Sequence, residues 1–173
     1  MRKLIPFFIF IILLASCKMN VKTNQLPPDI KSLSVDKIIN NTSTYGIVSV
    51  LKDELNNAFI ADGRLILVDA STADALLNVN LTNYSLEPIS YDINGTVKEY
   101  KMRITADITF YNNREKKILF EQKGIEESQI YIPPNSPLVL EQNLIPQTED
   151  EVKRAVLSII AEDIVKRVID GWW

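Results

Sequence analysis

The sequence predicts an α+β fold: a two-layer α/β sandwich in which a mixed four- to five-stranded sheet carries two helices on one face. Three patterns lead there. First, Ala75 to Phe110 reads as a long hairpin closed at Asn94-Gly95, a pair that tolerates the positive φ angles of a type I′ turn. In its second arm Tyr100, Met102, Ile104, Ala106, Ile108 and Phe110 alternate with Glu99, Lys101, Arg103, Thr105, Asp107 and Thr109. In the first arm Leu77, Val79 and Leu81 alternate with Asn78, Asn80 and Thr82. Period two over that length means a sheet buried on one side only. Second, two segments elsewhere carry helical stripes of apolar residues. Third, the strands offer a single apolar face, so both helices must lie on it.

Taken in order, the chain opens on a targeting segment, residues 1–16. Arg2 and Lys3 precede the apolar run Leu4 to Leu14, which is too short to span a bilayer. Leu14-Ala15-Ser16-Cys17 resembles a lipobox: a thiol to take the lipid, with small residues before it so that a protease reaches the backbone. A secretory peptide that merely contains a cysteine is the plainer alternative. Residues 17–28 are polar, end in Pro27-Pro28 and read as a lipidated tether; residues 29–173 form the domain. Cleavage leaves about 157 residues, enough for one core. It also moves the net charge from −3 to about −5, which is no platform for nucleic acid.

Asp29 to Ile39 reads as the first strand, and Asn40 to Thr44 as a loop of helix-capping residues. Ile47, Val48, Leu51, Leu55, Ala58 and Phe59 form the stripe of the first helix, stopped at Asp62-Gly63. Arg64 to Val68 is a short apolar strand; strand, helix, strand implies a crossover. Asp69 to Asp74 is a turn before the hairpin, and Tyr111 to Lys117 a polar turn after it. A last strand runs from Ile118 to Ser128, and an irregular, proline-broken stretch from Tyr131 to Thr148. Thr148 with Glu151 forms a capping box. The helix it opens, striped by Val156, Ile160, Ile164 and Val168, ends near Asp170 at Gly171, before Trp172-Trp173.

Catalysis is hard to build from these residues. The chain has no histidine, its one cysteine is the lipid acceptor, and its five glycines make no phosphate-cradling loop. Asp62, Asp69 and Asp74 could be argued into a carboxylate pair, but solvated turn residues are their ordinary explanation, and Glu126-Glu127 reads as a solvated pair. No enzyme, metal site or cofactor is expected.

Several short stretches together resemble the lipopolysaccharide-assembly lipoprotein LptE family. They are the lipobox, Leu26-Pro27-Pro28-Asp29-Ile30, Phe59-Ile60-Ala61-Asp62-Gly63-Arg64-Leu65, Thr72-Ala73-Asp74-Ala75, Tyr84-Ser85-Leu86-Glu87-Pro88, Asn94-Gly95 with Glu99-Tyr100, and Gly171-Trp172. The resemblance implies a protein anchored through Cys17 to the periplasmic face of the outer membrane. It implies a plug inside the large β-barrel LptD, aiding its assembly and the passage of lipopolysaccharide to the surface. A barrel lumen of that kind is polar, and the polar face of the predicted hairpin matches it. Asn78, Asn80, Lys98, Lys101 and Arg103 are the candidate barrel- or lipopolysaccharide-contacting residues. An ordinary solvent-facing sheet has the same pattern.

The chain departs from the family in places. Lys18-Met19 stands where many relatives have a Gly-Tyr-like pair, and Ile93 and Ile145-Pro146-Gln147 stand where enterobacterial members place basic residues that touch lipopolysaccharide. Lys98, Lys101 and Arg103 are the nearest substitutes, though pairing with a neighbouring glutamate is the ordinary role of such a surface charge. Ile159 and Trp172-Trp173 could be further barrel contacts or simply pack the helix end. The rival reading is a free periplasmic lipoprotein that binds a small hydrophobic ligand or a cell-wall enzyme between the helices and the Tyr131–Thr148 loop.

Overall fold

The computed structural model describes residues 26–171. Residues 1–25, with Cys17 and most of the tether, and Trp172-Trp173 lie outside them. The elements are β1 (Ser32–Asn40), α1 (Ile47–Asp62), β2 (Ile66–Leu67), β3 (Ala75–Tyr91), β4 (Val97–Asn112), β5 (Lys117–Tyr131), α2 (Pro137–Glu141) and α3 (Glu149–Asp170). The sheet has five strands in the order β2-β1-β3-β4-β5. β1 runs parallel to β2 and β3, and the other neighbours are antiparallel, so the sheet is mixed as expected.

One face of the sheet is dry. Leu33, Val35, Ala75, Leu77, Val79, Leu81, Met102, Ile104, Ala106, Ile108 and Phe110 are buried against Ile47, Leu51, Leu55 and Phe59 of α1 and nine residues of α3. At about 1.5–3 kcal/mol for each large side chain removed from water, this layer fixes the register. The helices touch each other and run side by side, with Arg154 bonded to Glu54 at 3.1 Å and Arg64 to Asp170 at 2.7 Å. Both predicted helix signals hold. Gly63, at φ +72°, ends α1 with its N–H on the Phe59 carbonyl, and the Thr148–Glu151 capping box is complete.

Several local expectations change. Pro27 to Ile30 forms a turn, so the first strand starts at Ser32 rather than Asp29. The capping residues after β1 serve their own loop: Asn40 Oδ1 accepts from the Thr42 N–H and hydroxyl, and α1 starts at Gly46 with no side-chain cap. The hairpin turn is not type I′, because Gly95 has positive φ and Asn94 does not. Asp92 organises it instead, its carboxylate accepting the Asn94 and Thr96 N–H groups while its carbonyl accepts from Gly95. The proline-broken stretch contains α2, capped by Ser136 with Pro137 at its first position. β5 runs on to Tyr131, whose ring stacks on Tyr100 at 5.9 Å.

Candidate partner-binding face

The other sheet face carries no helix; its make-up follows from alternation in β3, β4 and β5. Cross-strand register sets Asn78 beside Thr109 and Glu121, Asn80 beside Asp107, Asn83 beside Thr105 and Glu126, Ser85 beside Arg103 and Ser128, and Glu87 beside Lys101 and Ile130. A bulge between Leu81 and Asn83 changes the parity of β3. Asn83 rather than Thr82 therefore stands opposite Thr105, and Tyr84 and Leu86 turn to the core side. The sequence held the signal: apolar residues 77, 79 and 81 are followed by 84 and 86.

These side chains bond among themselves only in part. Asn80 Oδ1 accepts from the Asn41 amide at 2.8 Å, and the Gly124 N–H donates to Asp107 at 2.8 Å. Arg103 Nε stands 3.6 Å from Glu126, whose other oxygen lies 3.4 Å from the Thr105 hydroxyl. That is the neighbouring-glutamate pairing. Yet Arg103 Nε, Asn78 Oδ1 and Ser85 Oγ are shielded from solvent with no hydrogen-bond partner among the described residues. A buried polar atom left so costs about 1–3 kcal/mol.

Of the five candidate residues, Asn78, Asn80, Lys101 and Arg103 share this open face. Lys98 does not: in the alternation of β4 it falls with Tyr100 and Met102, opposite to Lys101 and Arg103, and its carbonyl accepts from the Ser136 hydroxyl at 2.8 Å. Ile159 on α3 is half exposed, on the helical layer rather than this face.

The three aspartates weighed as a carboxylate pair do not converge. Asp62 is held by Arg64, which lowers its pKa. Asp69 uses its backbone carbonyl to accept from Thr72 and Ala73. Asp74 is no solvated turn residue: it is buried and accepts from the Lys31 N–H (3.0 Å), the Ser32 N–H (3.0 Å) and the Ser32 hydroxyl (2.8 Å), with Arg114 as its ion partner. Those bonds, the Lys31 N–H first, hold its pKa below the usual carboxylate value. Glu126 and Glu127 occupy successive positions of β5, paired with Thr105 on the open face and Ile104 on the core face. Among the described residues no group of three or more side chains could hold a metal. The groove between α1 and α3, about 340 Å³, is lined by Glu54, Asn57, Asp62, Glu162 and Lys166 beside Ala58, Ala61 and Val165, so that charged side chains rim a lining that is more apolar than polar.

Among the described residues no helix is long and apolar enough to cross a membrane. None of the functionally curated proteins matches the sequence. Solved structures share the fold at low identity. A Xanthomonas campestris protein aligns with TM-score 0.54 and 12% identity, over 84% of this chain and 91% of its own. An uncharacterized lipoprotein B from Nitrosomonas europaea aligns with TM-score 0.50 and 16% identity, over 88% and 89%. A hypothetical protein from Chlamydia trachomatis gives TM-score 0.50 and 8% identity, over 82% and 97%. The sequence model for lipopolysaccharide-assembly LptE matches residues 30–170, nearly the whole described domain. The chain belongs to the LptE family, lipoproteins of the cell envelope whose part in lipopolysaccharide assembly is not enzymatic.

Proposed function

We propose that this protein is an outer-membrane lipoprotein that plugs an LptD-like β-barrel, helps it assemble, and so serves the transport of lipopolysaccharide to the cell surface. One observation carries the reading: the broad face of β3, β4 and β5 is uncovered by the chain's own helices and polar from Asn78 to Glu87, between Leu76, Tyr111 and Ile118 at one end and Ile130 at the other. A wide barrel's interior is polar and offers hydrogen bonds at every second residue of each strand. The face supplies amides, hydroxyls and both charge signs. Direct contact with lipopolysaccharide phosphates falls to Lys101 and Arg103, the cations on that face. The ligand-binding alternative needs a site between the helices and the Tyr131–Thr148 loop, and no residue of that loop lines the groove between α1 and α3.

The test is a triple substitution on the face, Asn78→Glu, Arg103→Glu and Thr105→Glu. It leaves the core untouched and sets new carboxylates beside Glu121 and Glu126. The folded domain should keep its circular dichroism, while assembled barrel recovered with it drops at least tenfold, about 1.4 kcal/mol of lost association. Undiminished assembly by a folded triple variant would remove the face from the interface.

A further inference from the structure

Several chain ends gather where the tether leaves the domain. β1 starts there: Ser32 lies opposite Ile66, Leu33 opposite Ala75, and Ala75 opposite Asn112 beside the β4–β5 turn. The two long helices finish there, with Arg64, just past the end of α1, bonded to Asp170, the last residue of α3. Leu26 packs on the core ahead of the turn from Pro27 to Ile30. From Cys17 to Leu26 the chain can reach no more than about 32 Å, nine steps of at most ~3.6 Å. Trp172-Trp173, the chain's two tryptophans, follow Gly171 directly in sequence.

This end carries an apolar rim. On the open face the row beyond Asn78 runs Ser34, Leu76, Tyr111, Ile118, and it is mainly apolar. Ile66 begins the edge strand β2, and round that edge Ile60 of α1 lines one hollow with Leu67 and Val68. Ile60, Ile66 and Ile118 are the barest of these, 69%, 66% and 48% exposed. From β2 to β5 is four strand spacings, roughly 19 Å, so the three stand around the end rather than in one spot. A ring of that kind fits a surface laid across it better than a knob or a strand. The end has no cationic surplus: exposed Lys31, Lys116 and Lys117 are offset by Asp29, Asp69 and Glu115, Arg114 by Asp74, and Arg64 by Asp62 and Asp170.

We infer that the lipidated protein, before a barrel takes it up, rests with this end on the bilayer that holds its anchor. Ile60, Ile66 and Ile118 then enter the headgroup layer beside Trp172 and Trp173. The inference takes Cys17 as the lipid acceptor and is independent of the plug reading. Reach selects the partner: a tether of at most ~32 Å keeps this end close to lipid at all times. A tethered contact is intramolecular, at an effective concentration on the order of millimolar, so a rim too small to hold a free domain on a membrane is enough here. Tryptophan suits the headgroup level because its ring is apolar while its indole N–H needs a polar neighbour. Without a cationic surplus, apolar burial rather than attraction to anionic lipid holds the end down.

The experiment reconstitutes the full lipidated chain in phosphatidylcholine vesicles whose acyl chains carry bromine just below the headgroups. Because Trp172 and Trp173 are the only tryptophans, their emission reports this end alone. Emission should shift to the blue and be quenched, to the same extent when phosphatidylglycerol is added or salt is raised. The triple variant Ile60→Ser, Ile66→Ser and Ile118→Ser, with its circular dichroism unchanged, should lose most of the quenching. Ile60→Ser alone, at the most exposed of the three, should lose part of it. Four results overturn the inference: wild-type emission as bright as in unbrominated vesicles, quenching undiminished in the folded variants, quenching that needs phosphatidylglycerol, or a blue shift that vanishes as the protein is diluted in the membrane, the sign of a second copy. A Cys17 shown by mass spectrometry to carry no lipid removes the anchor and the inference with it. None of these results bears on the plug reading, which stands or falls on recovery of the barrel.

Discussion

Asp74 ties together three parts of the chain that are far apart in sequence. Its carboxylate holds the entry to β1 through Lys31 and Ser32 and the β4–β5 turn through Arg114, while its carbonyl takes the Asn113 N–H at 2.8 Å. Asn113 returns the favour, its amide donating to the Ala70 and Ala73 carbonyls. Asp74→Ala strands two backbone N–H groups in a shielded corner, and we expect a loss of about 3 kcal/mol, seen as a lower urea midpoint with unchanged slope. The pH dependence has a definite sign. The folded-state pKa lies below the unfolded value of about 3.9, so the stabilisation is whole above that value and drains away as pH falls through the folded pKa. The wild-type acid limb should therefore be steeper than that of the variant; parallel limbs would mean that Asp74 contributes no charge-dependent stability. This role was not legible in the sequence, where an aspartate two residues after a threonine in a polar turn looks solvated. Only the long-range meeting with Ser32 and Arg114 buries it.

At the scale of elements, period and capping were readable, and register was not. The alternation of β4 and the stripes of α1 and α3 follow from which residues must leave water, so the sequence alone predicts them. The β3 bulge left a trace in the apolar positions, which change parity between Leu81 and Tyr84, but the residue it sets opposite Thr105 and the turn at Asp92 depend on how two strands are matched. The capping box of α3 shows the local kind of signal at its best. Thr148 and Glu151 bond reciprocally at 2.7–3.3 Å, and the Tyr84 hydroxyl reaches Glu149 at 2.5 Å, fastening the first turn to β3. Burial first, and then the Glu149 carboxylate, push the Tyr84 pKa upward, so that hydroxyl stays a donor at every physiological pH. Thr148→Ala should cost about 1 kcal/mol. Amide exchange should speed up in residues 149–152 while the C-terminal half of α3 keeps its protection; uniform acceleration along α3 would show that the helix has no locally held start.

The whole molecule is a slab with one greasy layer and one uncovered polar sheet. That division could be read from the sequence, because one-sided alternation requires it. The identity of what meets the polar side could not: a solvated sheet and an enclosed one share the same pattern, and the proposal of an enclosing barrel draws on family membership. The candidate residues show the same limit. Alternation was enough to group Asn78, Asn80, Lys101 and Arg103, and the same alternation sets Lys98 with Tyr100 and Met102 on the other side. The account turns on enclosure by a partner, and the most direct measurement is extraction of the lipidated protein in mild detergent, followed by purification and mass determination. We predict a stable one-to-one complex with a much larger outer-membrane β-barrel protein. A clean monomer, recovered under conditions that keep other envelope complexes intact, would contradict it.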